Sequence, residues 1–219
     1  MKIVEAFAGE YASGKSENAI NRALMLNKLG REVTLVDLDT VEPFYTLRPI
    51  KAKLEQQGLS VVAWSPEEVE GLGEAGSVMK PEMRWVLKRT GDIILDIGYG
   101  VHGAKIFNLV EGAKTDINLR VYAVINTCRP MTSDANKIID YLRDFGRVDG
   151  IVHNTHLGKW TDINTVLQGK KQIDIVANKL NIPIISTSVE KNLAGKLQQT
   201  EIDHEIWPIE KYMDVNSMW

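Results

Sequence analysis

The chain has 219 residues, 44% of them hydrophobic and 25% charged, enough apolar content to bury a substantial core as a single domain over residues 1–219. A net charge of −3 with interspersed acids and bases gives no broad basic footprint, so nucleic acid is not an expected partner. One cysteine, Cys128, excludes an internal disulfide framework, the N-terminus runs into a strand rather than a leader, and no apolar run reaches the roughly 18 residues of a membrane span, so a cytoplasmic protein without a membrane anchor is expected.

In chain order, the apolar run Ile3 to Ala8 reads as a strand, and Ala19, Ile20, Ala23, Leu24, Leu26 and Leu29 recur at helical spacing until Gly30. Between them lies Gly9-Glu10-Tyr11-Ala12-Ser13-Gly14-Lys15-Ser16. The spacing G-x-x-x-x-G-K-S is that of a phosphate-binding loop: the glycines let successive N–H groups face one anion, Lys15 reaches the outer phosphates, and Ser16 can ligand Mg²⁺. The following helix points its positive end at the same place. The competing reading is an ordinary strand-to-helix turn rich in small residues.

Glu32 to Val36 reads as a buried strand ending in Asp37-Leu38-Asp39, followed by a loop over 40–48 that Pro43 and Pro49 bias away from regular helix. A short helix from Ile50 to Gln57, a strand from Leu59 to Trp64, an irregular Glu- and Gly-rich excursion from Ser65 to Lys80 and a helix from Pro81 to Arg89 come next. The strand Asp92 to Leu95 ends in Asp96-Ile97-Gly98-Tyr99-Gly100, where a carboxylate can hold a water of the Mg²⁺ shell and the Gly100 N–H can approach a γ-phosphate. Alone, such an aspartate is as readily a turn residue. Further strands are expected at Leu119–Ile125, Gly150–His153 and Ile182–Ile185, separated by helical patterns at 132–146 and 162–180. This alternation predicts an α/β fold with a mainly parallel central sheet covered on both faces. Residues 199–219 read as a C-terminal extension, acidic, with Trp207 packing back on the body and Trp219 near its end.

Together, the loop at 9–16, Asp37-x-Asp39 and Asp96-x-x-x-Gly100 resemble the MinD/ParA/CobQ group of the SIMIBI class of P-loop NTPases, over about residues 1–190. The resemblance implies a three-layer P-loop NTPase fold binding ATP and Mg²⁺. Gly9 to Ser16 and Gly100 would hold the phosphates, with Ser16, Asp37 and Asp96 on the metal side and Lys15 and Asp39 as the hydrolytic residues. It also implies that Asn154 contacts the adenine, and Thr187, read as following its strand, would line the same pocket. A GTP-specific site would show Asn-Lys-x-Asp at a late strand end; here stands His153-Asn154-Thr155-His156, which favours adenine.

One position departs from the family. Where MinD and ParA proteins carry a lysine that reaches a partner subunit's nucleotide, this chain has Glu10, so a homodimer would need its cation from elsewhere, Arg48 or Arg129 being the candidates. His102, His153, His156 and His204 show no paired metal-ligand spacing, and Cys128 has no thiol partner for a zinc-bridged dimer. The expectation is a slow ATPase acting as a switch through the loops at 40–48 and 97–105, for an unidentified protein partner. Alternatives are a small-molecule phosphotransferase or ligase of the dethiobiotin-synthetase type, with residues 65–80 and 99–108 lining the acceptor pocket, and a nucleotide sensor that does not hydrolyse.

Overall fold

The computed structural model describes residues 1–40, 46–69, 78–200 and 202–213. Of the expected features, residues 41–45 of the loop after the second strand, 70–77 of the excursion, the side chain of His102 and the segment 214–219 with Trp219 lie outside the described residues.

The strands are β1 (Val4–Gly9), β2 (Val33–Leu38), β3 (Ser60–Val62), β4 (Asp92–Ile97), β5 (Leu119–Ile125), β6 (Gly150–His153), β7 (Ile184–Glu190) and β8 (Glu205–Ile209). The helices are α1 (Lys15–Lys28), α2 (Lys51–Gln56), α3 (Pro66–Val69), α4 (Gly100–Phe107), α5 (Ala135–Phe145), α6 (Ile163–Leu180) and α7 (Lys191–Leu197). The eight strands form one sheet in the order β3-β2-β4-β1-β5-β6-β7-β8, and every neighbouring pair is parallel. Beside β1 the chain order reverses direction across the sheet, which opens a crevice at the carboxyl ends of the strands. That crevice receives the Gly9–Ser16 loop.

Burial on both faces explains the apolar strands. On β1, Phe7 packs with the α1 residues Ala19, Ile20, Ala23 and Leu24, while Val4, Ala6 and Ala8 face the opposite layer with Phe107 and Phe145. A third cluster joins Ala123 and Ile125 of β5 to Ile138, Ile139 and Leu142 of α5 and Ile173 and Val176 of α6. Truncating a fully buried member such as Ile20 to alanine would cost about 2–5 kcal/mol.

Several boundaries differ from the sequence expectation. β2 and β4 extend through Leu38 and Ile97, so Asp37 and Asp96 lie inside strands rather than after them. The expected loop at 97–105 is a helix from Gly100 onward, and residues 81–88 form a 3₁₀ rather than an α-helix. β7 begins at Ile184 and runs to Glu190; its buried centre is polar, Ser186-Thr187-Ser188, which hides the strand from a search for apolar runs. Within the expected C-terminal extension, Glu205–Ile209 forms the edge strand β8, where Pro208 is tolerated. Trp207 packs on the body, its ring 6.4 Å from Phe7 and beneath the Arg22 guanidinium at 5.1 Å.

Candidate functional site

The loop at 9–16 leaves β1 and curls back through a turn in which the Ser13 N–H donates to the Glu10 carbonyl at 3.0 Å. Both motif glycines are forced by sterics. A Cβ on Gly9 would lie 2.3 Å from Ser13 Oγ and 2.6 Å from the Val124 carbonyl; one on Gly14, where φ is +89°, would lie 2.1 Å from the Asn154 amide nitrogen. Ala12 also adopts the left-handed region at φ 52°, a local strain of the kind held at functional turns. The loop is fastened from outside by two side chains: Asn154 Nδ2 donates to the Ser13 carbonyl at 2.7 Å and Arg129 Nε to the Ala12 carbonyl at 3.0 Å.

Three carboxylates gather under the loop. The β2–β4 register places Asp37 directly opposite Asp96, both fully buried, and the next turn brings Asp39 beside Gly98. Lys15 Nζ bonds Asp39 Oδ2 at 2.9 Å. Asp37 accepts the backbone N–H groups of Asp39 at 3.0 Å and Leu47 at 3.2 Å. Burial first, then the charge of Asp39, raises Asp37 to about 6, with Arg48 opposing the rise. Burial raises Asp96 further, to about 7; Lys15 opposes this while Asp37 and Asp39 add to it. Neither Asp96 oxygen has a partner at hydrogen-bond geometry, although the Ser16 hydroxyl is near enough to favour the charged form. The same acids hold Lys15 above its ordinary value despite its burial.

Hard oxygen donors, two of them buried and unpartnered, suit Mg²⁺ chemistry. Among the described residues no three acidic, histidine or cysteine side chains could hold a metal ion by themselves. Mg²⁺ is commonly bound through one or two carboxylates together with phosphate oxygens and water.

Two connected hollows extend from the loop. The first, about 210 Å³, is lined by residues 11–17, Asp39, Tyr99 and Met213. Above it the Tyr11 and Tyr99 rings meet edge to face at 5.9 Å. The second, about 360 Å³, shares Ala12, Gly14, Glu17 and Met213 with the first and continues between Asn154–His156, Gly158 and Thr161 on one side and Ser188–Glu190 and Ile209–Lys211 on the other. Asn126, fully buried, ties its upper loops together by accepting the N–H groups of Cys128 and His156 and donating to the His156 carbonyl.

The remaining sequence candidates distribute as follows. Glu10 does not line either hollow; its charge, after burial, raises the Tyr141 hydroxyl of α5. Gly100 opens α4 at φ +60°, next to Tyr99. Arg129 reaches the loop, whereas Arg48 is buried beside Asp37. Thr187 does not line the second hollow. It lies inside β7, fully buried, with its hydroxyl bonded to His153 Nδ1 at 3.2 Å and His204 Nε2 at 2.7 Å. Sequence reasoning missed Glu17, residues 188–190 and residues 209–213. The only sequence signal was the position of Glu17 directly after Ser16; the others reach the site through sheet order.

The comparisons with known proteins agree with this architecture. No protein-family model and no curated protein sequence matches the chain, but solved structures superpose on it. The cell division protein FtsY from Thermotoga maritima matches with a TM-score of 0.56 at 19% identity, over 86% of this chain and 62% of that one. The signal recognition particle receptor FtsY from Elizabethkingia anophelis in complex with GDP matches at 0.54 and 15%, over 86% and 57%. A nucleotide-binding protein from Archaeoglobus fulgidus in complex with ADP matches at 0.51 and 18%, over 92% and 89%. The fold is that of the P-loop NTPases. The chain spans about three-fifths of the FtsY chains. Among the described residues no helix is long and apolar enough to cross a membrane.

Proposed function

We propose that the protein binds a Mg²⁺–nucleoside triphosphate, with ATP the preferred nucleotide, and hydrolyses it slowly as a switch for another protein, in the manner of the MinD/ParA-like group of the SIMIBI class. The observation that carries this reading is the Lys15–Asp39 ion pair set over the buried, unsatisfied Asp96. A triphosphate entering the Gly9–Ser16 loop competes with Asp39 for the Lys15 ammonium. Phosphate takes the lysine because it carries more charge and meets the loop N–H groups and the α1 N-terminus as well. Asp39 is thereby released to orient and accept a proton from an attacking water. Ser16, with Asp37 and Asp96, would hold Mg²⁺, which would supply positive charge to screen the phosphates.

Adenine is supported by the match to the A. fulgidus protein in complex with ADP, which covers 89% of that chain, and by the lack of an Asn-Lys-x-Asp sequence at the end of β6. Placement of Glu10 outside both hollows argues against its acting on phosphate, and Arg129, which reaches the loop, is the cation able to replace the lysine of the family. Titration with ATP and Mg²⁺, followed by thermal unfolding, tests the reading: stabilisation is expected for the wild type and its loss for Lys15→Ala. An equal shift in both proteins would sink it. Turnover without any added acceptor separates a switch from a phosphotransferase.

A further inference from the structure

Glu17 follows Ser16 on the first turn of α1 and lies half-buried at the junction of the two hollows. Its carboxylate accepts three backbone hydrogen bonds from the segment after β8: Tyr212 N–H to Oε1 at 3.0 Å and to Oε2 at 2.9 Å, and Met213 N–H to Oε1 at 2.8 Å. One turn further along α1, Asn21 donates to the Glu210 carbonyl at 2.8 Å and accepts the Glu210 N–H at 2.9 Å. Residues 210–213 are thus carried by α1, the helix whose N-terminus bears the phosphate loop. Met213 lines both hollows, and Lys211 pairs with Glu190 at 2.5 Å across the second.

A carboxylate one residue from Ser16 would by itself oppose phosphate binding. Bonded to two backbone amides, it directs its lone pairs away from the loop and toward the strap. We propose that Glu17 is a positioning residue for the nucleoside half of the ligand: it holds residues 210–213 as the wall against which the base and sugar pack, so that one rigid helix sets phosphate and base positions together. This rests on the nucleotide reading above. It predicts a ligand-selective effect, because Glu210 and Lys211 of the strap line, of the two hollows, only the second, the side of the cleft that a nucleoside would fill and inorganic polyphosphate would not reach.

The test compares ATP, ADP and inorganic tripolyphosphate, each with Mg²⁺, by isothermal titration calorimetry on wild type, Glu17→Gln, Glu17→Ala and Met213→Ala. Glu17→Ala should weaken ATP and ADP on the order of 10-fold or more, the loss of backbone hydrogen bonds to a charged acceptor, while tripolyphosphate affinity holds or improves. Glu17→Gln, which keeps one carbonyl oxygen for both amides, should recover part of the loss. Met213→Ala, which leaves the clamp intact, should weaken the nucleotides by a smaller factor than Glu17→Ala. Equal losses for all three ligands, or no loss for ATP, would overturn the proposal. If wild-type protein bound none of the three, or Lys15→Ala bound ATP as well as wild type, the nucleotide reading itself would fall, an outcome distinct from the pattern above.

Discussion

The two halves of the cleft are built in opposite ways. The phosphate half is local: one unbroken segment, residues 9–16, supplies the loop, and two neighbouring strands supply Asp37, Asp39 and Asp96. The second hollow, where the proposed function places the nucleoside, is assembled from loops after β5 and β6, the end of β7 and the strap after β8, none of which is a recognisable motif. A backbone that wraps phosphate has few solutions, so its sequence is constrained residue by residue. A wall against a base needs only shape and an occasional polar group, and many sequences satisfy it.

Substitutions can break this contrast, and the strongest should fall on the phosphate half. Lys15→Ala is expected to reduce ATP affinity on the order of 100-fold, measured by calorimetry, since it removes a charge-assisted contact and leaves the acids unscreened. Next, Asp39→Asn should lower the steady-state hydrolysis rate on the order of 100-fold with little change in ATP affinity, the signature of a group that positions or accepts a proton from water. A parallel fall in affinity would instead mark Asp39 as a structural partner of Lys15 alone. Gly14→Ala should cost about 1–3 kcal/mol in urea unfolding, because φ +89° is strained for alanine and the new methyl meets Asn154. Pairing it with Asn154→Ala should return part of that loss; full additivity would argue against the contact.

The smallest effect is one of pH. Asp37 and Asp96 are raised to about 6 and about 7, above the ordinary aspartate range near 3.9, so the folded protein binds protons more tightly there than the unfolded chain. Without metal, their contribution to stability is greatest at low pH and is lost as pH rises through 6 and 7. Mg²⁺ requires the ionised acids, so its binding should strengthen over the same interval and release protons. Asp96→Asn should flatten both curves, as followed by unfolding and by proton release on Mg²⁺ binding in buffers of different ionisation enthalpy. Profiles unchanged from wild type would show that Asp96 carries no such proton.

How much of this was legible in the sequence follows the same division. The loop, α1 and the carboxylates stood at their expected positions because each lies in or beside an apolar strand whose burial the composition betrays. Asp37 and Asp96 were displaced only from strand ends to strand interiors. Thr187 was misplaced because Ser186-Thr187-Ser188 is a buried polar run, in which Thr187 bonds His153 and His204 and Ser188 bonds Asn18, and hydropathy cannot reveal polar groups that find partners only in the folded chain. β8 was missed because a proline interrupts a short strand, permissible only at a sheet edge, and edge position is a property of topology. With it went the strap, whose residues acquire a role only through their distance from Glu17 in space.

The clamp from Glu17 to Met213 joins residues 196 positions apart in the chain. Closing so long a loop costs only slightly more entropy than closing one half its length, but it can happen only after the strands between have found their order. The wall formed by residues 210–213 can therefore be completed only once the last strand has joined the sheet, so on the proposed reading the two sides of one ligand site depend on opposite ends of the chain.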